Sequence, residues 1–499
     1  MTLPRSSGVL LHPTSLPGPY GIGDIGPAAY RWLDWLAGSG CTYWQMLPLG
    51  PTGYGDSPYF CFSAFAGNPY LVSPELLVSD GLLARSDLAS RPEFPRDRVD
   101  FGKVIPWKLA LLDRAHDRFL ADPPGDSLAR YRAFRRVHAG WLEDYALFMA
   151  LKEAHGGGPW AGWPLPIRHR RRAALERARA SLAAETERQA FRQFVFFDQW
   201  ERLRARARRL GLRLLGDAPM YVAEDSADVW AHPHLFALDH DLRPTVVAGV
   251  PPDYFTEAGQ LWGNPLYAWE RHAADGYAWW IARLRSLVEL TDLVRIDHFR
   301  AFADYWEVPA GSLTAAVGRW VPGPGATFFA RAEQALGGLP IVAEDLGEDH
   351  PVVPALLAEV GLPGMKVLQL AFDGDPRNPF LPRYHPEHCV VYTGTHDNDT
   401  TRGWYRSLPP EERRRVRAAV NGDGRRMAWG LITLAWESRA FLAVAPMQDL
   451  LGLGSEARMN IPGSLGGNWT WRMKPGAADR TLQQRLADLN GQTDRRRSG

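Results

Sequence analysis

The chain has 499 residues, 45% hydrophobic and 23% charged, which is ample to bury a large core with ordinary globular composition. A formal net charge of +1 supplies no field strong enough to hold nucleic acid or an anionic membrane, so neither is expected as a partner. Arginine carries most of the positive charge, with only Lys103, Lys108, Lys152, Lys366 and Lys474 beside it, a compositional bias without functional content. Cys41, Cys61 and Cys389 are odd in number and lack CxxC spacing, which suits a reducing compartment and gives neither a disulfide framework nor a zinc site. The opening MTLPRSSGVLLHP has too short an apolar run for a signal peptide, and no run reaches membrane length, so the cytoplasm is expected.

Residues 8–13, GVLLHP, read as a short buried strand followed by the turn-rich TSLPGPYGIGDIG. Residues 27–36 carry helical periodicity, with Trp32, Trp35 and Leu36 on one apolar face. A second strand at 43–49 ends in Pro-Gly punctuation, and this β-loop-α-β opening points to a parallel barrel. The loop at 50–70 is crowded with Gly, Pro, Ser and aromatics. There Tyr54, Asp56, Ser57 and Tyr59 offer stacking faces and hydroxyls to a ligand, or simply pack a surface loop. From 103 to 209 the chain turns helical and polar, and its arginine run at 168–172 reads as a solvated face. That stretch is too long for a βα connection, so 51–211 is expected to form a loop and helical subdomain inserted into one barrel spanning 1–499.

The barrel resumes at 212–222, with Asp217 at a strand end behind Gly216. Residues 223–275 read as a second insertion whose segment 251–267, PPDYFTEAGQLWGNPLY, forms a lid loop. Gly249, Gly259 and Gly263 allow bending, while Tyr254, Phe255, Leu261 and Trp262 supply apolar cover; Trp262 either closes over a ligand or anchors the loop in the core. A helix at 277–290 leads into LVRIDHFR at 293–300. Further strands follow at 339–347, 365–372, 389–398 and 441–450, making eight candidates and an α/β class (β/α)8 TIM barrel. About fifty residues remain after the last strand, too few for a C-terminal β-domain. Among them Asn460, Asn468, Trp469 and Trp471 read as loop residues returning to the barrel mouth.

Three of these strands end in acid: Asp297 after 293–296, Glu344 and Asp345 after 339–343, and His396–Asp397 after 389–395. Catalytic groups of a (β/α)8 barrel come from the C-terminal ends of several strands. Side chains alternate along a strand, so Arg295 and Asp297 share a face, where Arg295 is placed to pair with the carboxylate. For that octapeptide alone, a nucleophile and a structural salt bridge are both open. Glu344, beside other carboxylates, is expected to hold a proton near neutral pH. His298 and His396 read as hydroxyl donors, or else as a pair of structural histidines. Such a set suits sugar chemistry, whose oxocarbenium-like transition state needs negative charge below it and a proton donor beside it.

These motifs, HPTSLPGPYGIGDIG, SPYFCFSAFAGNPYL, GDAPMYV, PPDYFTEAGQLWGNPLY, VRIDHFR, AEDLG, TGTHDN and RMNIPG, stand in the order of a known family. The chain resembles 4-α-glucanotransferases of the amylomaltase (disproportionating enzyme) type, within the α-amylase clan. The resemblance implies Asp297 as nucleophile, Glu344 as general acid/base and Asp397 as the carboxylate that holds sugar hydroxyls in the distorted ring. It also implies Asp217, Arg295, His298 and His396 as donor-subsite residues, and aromatics near Tyr54 and Phe101 at a second glucan site. Tyr59, Ser57, Trp262 and Asn460 are the further candidates for binding substrate. Partners are then an α-1,4-glucan donor and a glucan or glucose acceptor, with the oligomeric state open and a monomer compatible. Three readings compete: transfer to a sugar acceptor, hydrolysis by the same residues, and a glucan-binding protein with a dead barrel. The intact carboxylate set argues against the last, and the resemblance favours transfer. No EF-hand loop, His/Cys cluster or Gly-rich phosphate loop is present, so neither a metal nor another cofactor nor a nucleotide-sugar donor is expected.

Overall fold

The computed structural model describes residues 4–252, 257–347, 351–420, 426–464 and 466–497. Eight parallel strands follow one another around a ring: β1 Ser6–Leu10, β2 Tyr43–Gln45, β3 Arg213–Ala218, β4 Leu293–Ile296, β5 Ile341–Ala343, β6 Gly364–Val367, β7 Cys389–Tyr392 and β8 Leu442–Pro446. β8 pairs back onto β1, with Leu442 opposite Ser6 and Pro446 opposite Leu10. Between β5 and β6 the join is sparser: the Ala343 N–H donates to Pro363 O (2.8 Å), and the Met365 N–H donates to the Asp345 carboxylate (2.7 Å). Each strand falls within or beside an expected run, because runs such as CVVY and LAVAP are apolar on both faces, as a sheet covered on both sides requires.

The long segment between β2 and β3 is helical, as its composition predicts, but its last helix is not remote from the barrel. Ala183–Arg209 buries Phe196, Trp200, Leu203 and Ala207 in the same core as β2 and β3. The Trp200 indole N–H also donates to Leu290 O (3.0 Å). This helix is the outer-ring helix of the β2–β3 crossover, and Phe101–Ala121 and Ala139–Ala154 before it also bury residues in that core, among them Leu111, Phe119 and Leu142.

The arginine run divides in two. Arg171 and Arg172 are exposed. Arg170 instead pairs with Asp144 (2.7 Å) and lies 4.3 Å from the Trp230 ring centroid, while Arg168 donates to Ala161 O (3.1 Å). A charge run on a helical segment says nothing about which members fold back onto an aromatic. Arg171→Glu and Arg172→Glu are expected to leave the urea unfolding midpoint unchanged, within about 0.5 kcal/mol. Arg170→Ala is expected to lower stability by about 1–2 kcal/mol, through loss of the pair and the cation–π contact. Equal midpoints for all three variants would make the whole run a solvated face.

The lid reading needs correction. Gln260–Pro265 is a strand, not a loop, and joins Val246–Val250, Asp304–Pro309 and Arg319–Pro322 in a four-stranded antiparallel sheet. It is an edge strand paired with Val246–Val250 alone, and Val246–Val250 in turn pairs with Asp304–Pro309 beyond β4, so no local pattern announces the whole sheet. Gly259 and Gly263 do adopt positive φ (66° and 78°). Gly249 serves packing: a Cβ there would meet Gln260 O at 2.6 Å. Tyr254 and Phe255 lie outside the described residues. Among the described residues, no helix is long and apolar enough to cross a membrane.

Candidate active site

Strand register builds the site. Asp217 on β3 stands opposite Arg295 on β4, and Ile296 on β4 stands opposite Ala343 on β5. Asp297 and Glu344 are the next residues along those two neighbouring strands. The backbone carries the register past the strand ends, since the Glu344 N–H donates to Ile296 O (2.9 Å) and the Asp297 N–H donates to Ala218 O (3.0 Å).

Arg295 is the hub. Its Nη1 donates to both Asp217 oxygens (2.9 Å each), and its Nη2 donates to Asp297 Oδ1 (2.8 Å). Burial alone would lower the guanidinium pKa, but Asp217 and Asp297 more than offset it and hold the group well above its ordinary value. Asp217 is entirely enclosed, with its side chain 0% exposed, and also accepts the Tyr59 hydroxyl (2.8 Å). Burial raises the Asp217 pKa against the pull of Arg295. Asp297 differs, because 28% of its side chain is open toward the mouth. One guanidinium therefore ties a buried carboxylate to an accessible one.

Glu344 accepts two backbone N–H groups, from His298 to Oε2 (2.7 Å) and from Leu346 to Oε1 (3.0 Å). Its pKa is pushed up to about 8, chiefly by burial, with Asp297 adding to the rise and Arg295 opposing it. The expected cause, neighbouring carboxylates, is thus secondary: desolvation is the larger effect. His298 sits in the left-handed region (φ 52°), a conformation that costs a non-glycine residue on the order of 1–3 kcal/mol and turns its N–H onto Glu344. Burial lowers the His298 imidazole to about 4, so it is neutral at neutral pH, fit to bond a hydroxyl and unfit to serve as an imidazolium acid. Trp262 meets it edge to face, with ring centroids 4.7 Å apart.

Asp397 arrives on the loop after β7. The Asn460 amide donates to its Oδ1 (2.6 Å), while His396 Nε2 lies 3.3 Å from its Oδ2. Its side chain is 41% exposed, against 28% for Asp297. His396 stacks on Tyr59 (5.0 Å, 14° between planes), and Trp469 packs against both rings, so the C-terminal loop does return to the mouth. Asn468 ties that loop to itself through Ser464 and Ile461, and Trp471 is buried.

Ser57 and Phe101 are each engaged within the chain. The Ser57 hydroxyl accepts the Tyr59 N–H (3.2 Å), closing the turn that presents Tyr59. Phe101 opens the helix Phe101–Ala121 and packs with Ile22, Val99 and Val104, a core position and not a platform for sugar; Tyr54 is 77% exposed. Sequence reasoning overlooked Arg458, whose guanidinium donates to Asp397 O (2.6 Å) and Asn460 O (2.7 Å). It also overlooked Tyr221, 6.3 Å from both Trp262 and His298 by ring centroids. Both stand inside motifs already singled out, RMNIPG and GDAPMYV, which was the available signal.

A family model described as 4-alpha-glucanotransferase matches residues 11–479. The curated 4-alpha-glucanotransferase of Thermus thermophilus is 52% identical over 503 residues, spanning 99% of this chain and 100% of the relative. That of Synechocystis is 48% identical over 94% of each chain. Among solved structures, the amylomaltase from Streptococcus agalactiae, in complex with acarbose, superposes with a TM-score of 0.95 at 36% identity, covering 98% of this chain and 99% of that one. With matches of this extent, this chain belongs to the 4-alpha-glucanotransferase family and is a glucan-transferring enzyme of the amylomaltase type on a (β/α)8 barrel.

Proposed function

We propose that the enzyme moves segments of α-1,4-glucans to the 4-hydroxyl of another glucan or of glucose by retaining double displacement. Asp297 attacks the anomeric carbon, Glu344 protonates the departing glycosidic oxygen, and a glycosyl-aspartate forms. Glu344, now a carboxylate, then takes the proton from the acceptor hydroxyl as that oxygen displaces Asp297. Asp397, held by Asn460, grips hydroxyls of the distorted ring, while His298, His396 and Tyr59 complete the donor subsite.

The observation that carries this reading is the adjacency of two carboxyls in different surroundings. Asp297 is paired with Arg295, while Glu344 is held up to about 8. Neighbouring strands lie about 4.8 Å apart, which suits the carboxyl spacing of about 5–5.5 Å that a retaining mechanism uses. Incubation with maltotriose tests it: longer maltodextrins plus glucose are expected, whereas glucose and maltose without longer chains would mean hydrolysis. The insertions at 51–211 and 223–275 are read as shaping glucan access, since they supply none of the three acids. Three unpaired cysteines support work in a reducing compartment, the cytoplasm.

Transfer requires that water stay away from the glycosyl-enzyme until an acceptor binds. The edge-to-face contact of Trp262 with His298 supports giving that task to Trp262. Trp262→Ala is expected to lower the ratio of longer maltodextrins to net reducing ends by about fivefold or more, as loss of about 1–3 kcal/mol of stacking on a flat ring would produce. An unchanged ratio together with a lowered melting temperature would make Trp262 an anchor of the antiparallel sheet alone.

A further inference from the structure

We propose that Asp449, a buried carboxylate just past the end of β8, is a positioning residue for Asp397, holding both ends of the loop that carries it. The proposal rests on the reading of Asp397 as the acid that grips hydroxyls of the distorted ring.

Asp397 stands apart from the other two acids in how the chain holds it. Asp297 and Glu344 are each the first residue past a barrel strand, and backbone hydrogen bonds carry the register through them. Asp397 lies several residues beyond Tyr392, the last of β7, where no ladder reaches it. A side chain on a loop is placed only as well as the loop is braced. Inside this loop, Asn398 Oδ1 accepts the Thr395 N–H (2.8 Å) and the Thr395 hydroxyl (2.9 Å), closing a turn around His396 and Asp397. That turn fixes the shape of the loop. Where the loop sits is set at its ends, Thr393 and Thr401, with Asp397 midway between them.

Asp449 joins those two ends. Its Oδ2 accepts the hydroxyls of both Thr393 and Thr401 (2.7 Å each). Its Oδ1 accepts the Thr401 N–H (2.7 Å), a donor with no partner inside the helix Thr401–Ser407 that it opens. The residue is 1% exposed, and all three groups that bond it are neutral. Burial raises the Asp449 pKa, and the bonds from Thr393 and Thr401 oppose the rise. Three donors and no acceptor suit a carboxylate, whereas an amide of the same shape would set its own N–H groups against them. A buried polar network satisfied in this way stiffens what it connects.

β6 and β8 flank β7, and the loop is held from the β6 side as well. Gln369, just past β6, donates its amide to Asp399 O (2.9 Å) and fills the space beside Gly394, where a Cβ would lie 2.6 Å from its Nε2. Arg458 and Asn460 bond Asp397 directly, while Asp449 acts at one remove, through the loop ends. A slack loop would leave the barrel folded and its acids in place, and would weaken the grip that tightens as the sugar ring distorts. Such a loss falls on kcat and not on KM.

Asp449→Asn keeps the shape and removes the charge. Its kcat on maltotriose is expected to fall about 10²-fold, the cost of a group misplaced by about 1 Å, with KM within about threefold. The deciding measurement is a cycle with Asp397→Asn, read on a maltosyl fluoride donor. In that background Asp449→Asn is expected to add less than about threefold, because the group it positions is already gone. Should Asp449→Asn fail to fold, Thr393 supplies a second pair of variants. Thr393→Val removes one of the three bonds and should lower kcat about tenfold, and Thr393→Ser, which keeps the hydroxyl, should recover most of it. Unchanged kcat in Asp449→Asn, a loss confined to KM, equal losses with and without the Asp397 carboxylate, or equal losses in the two Thr393 variants would overturn the proposal and leave the role of Asp397 standing. Full activity of Asp397→Asn would instead remove that role, and the proposal with it.

Discussion

Asp297→Asn and Glu344→Gln are each expected to abolish maltotriose turnover with the fold intact, Glu344→Gln by at least about 10²–10⁴-fold, the usual share of a general acid/base. Asp297→Asn leaves Arg295 held by both Asp217 oxygens, so the buried cation keeps a partner and the barrel stays folded. A glycosyl fluoride, whose leaving group needs little protonation, should still load Glu344→Ala and leave its adduct on Asp297. An adduct on another residue, or full activity in Asp297→Asn, would overturn the assignment.

The same carboxyl sets a pH dependence whose sign follows from its environment. Glu344 must be protonated to act first, so turnover is expected to fall as pH rises through about 8. The folded-state value lies above the ordinary glutamate value of about 4.3. Between the two, the folded chain binds the extra proton. The stabilisation is therefore complete below the ordinary value and lost as pH rises through the folded one. Glu344→Gln has no proton to lose, so its melting temperature relative to wild type should climb between about pH 5 and pH 9. A constant difference across that window would mean that Glu344 titrates as an ordinary surface carboxyl.

Arg295→Met is expected to abolish activity and to cost about 3–5 kcal/mol of stability, because it strips the partner from a buried carboxylate. Asp217 would keep only the Tyr59 hydroxyl. Arg295→Lys should rescue little, since one ammonium cannot reproduce the planar fork that reaches Asp217 and Asp297 together. The double variant Arg295→Met/Asp217→Asn should recover much of the lost stability, by removing the stranded charge, and none of the activity. Denaturant titration and maltotriose turnover separate the two effects. Recovery of activity in the double variant would show that Asp297 does not depend on Arg295.

The barrel and its three acids were legible without coordinates because their signals are local. Apolar runs bounded by Gly and Pro mark strands, and chain direction in a (β/α)8 barrel sends the residues just past each run to one mouth. Asp297, Glu344 and Asp397 needed nothing more. The antiparallel sheet did need the fold, since Val246–Val250, the partner of Gln260–Pro265, finds its other neighbour beyond β4 in Asp304–Pro309, which pairs onward with Arg319–Pro322. So did the hub: only the β3–β4 register places Asp217 opposite Arg295, 78 residues apart in sequence. Burial is likewise a property of the assembled molecule. It splits Arg170 from Arg171, puts Phe101 into the core and raises Glu344 more than its neighbouring acid does. Side-chain identity and period are written along the chain, but desolvation depends on everything packed around a group, and long-range pairing decides what that is.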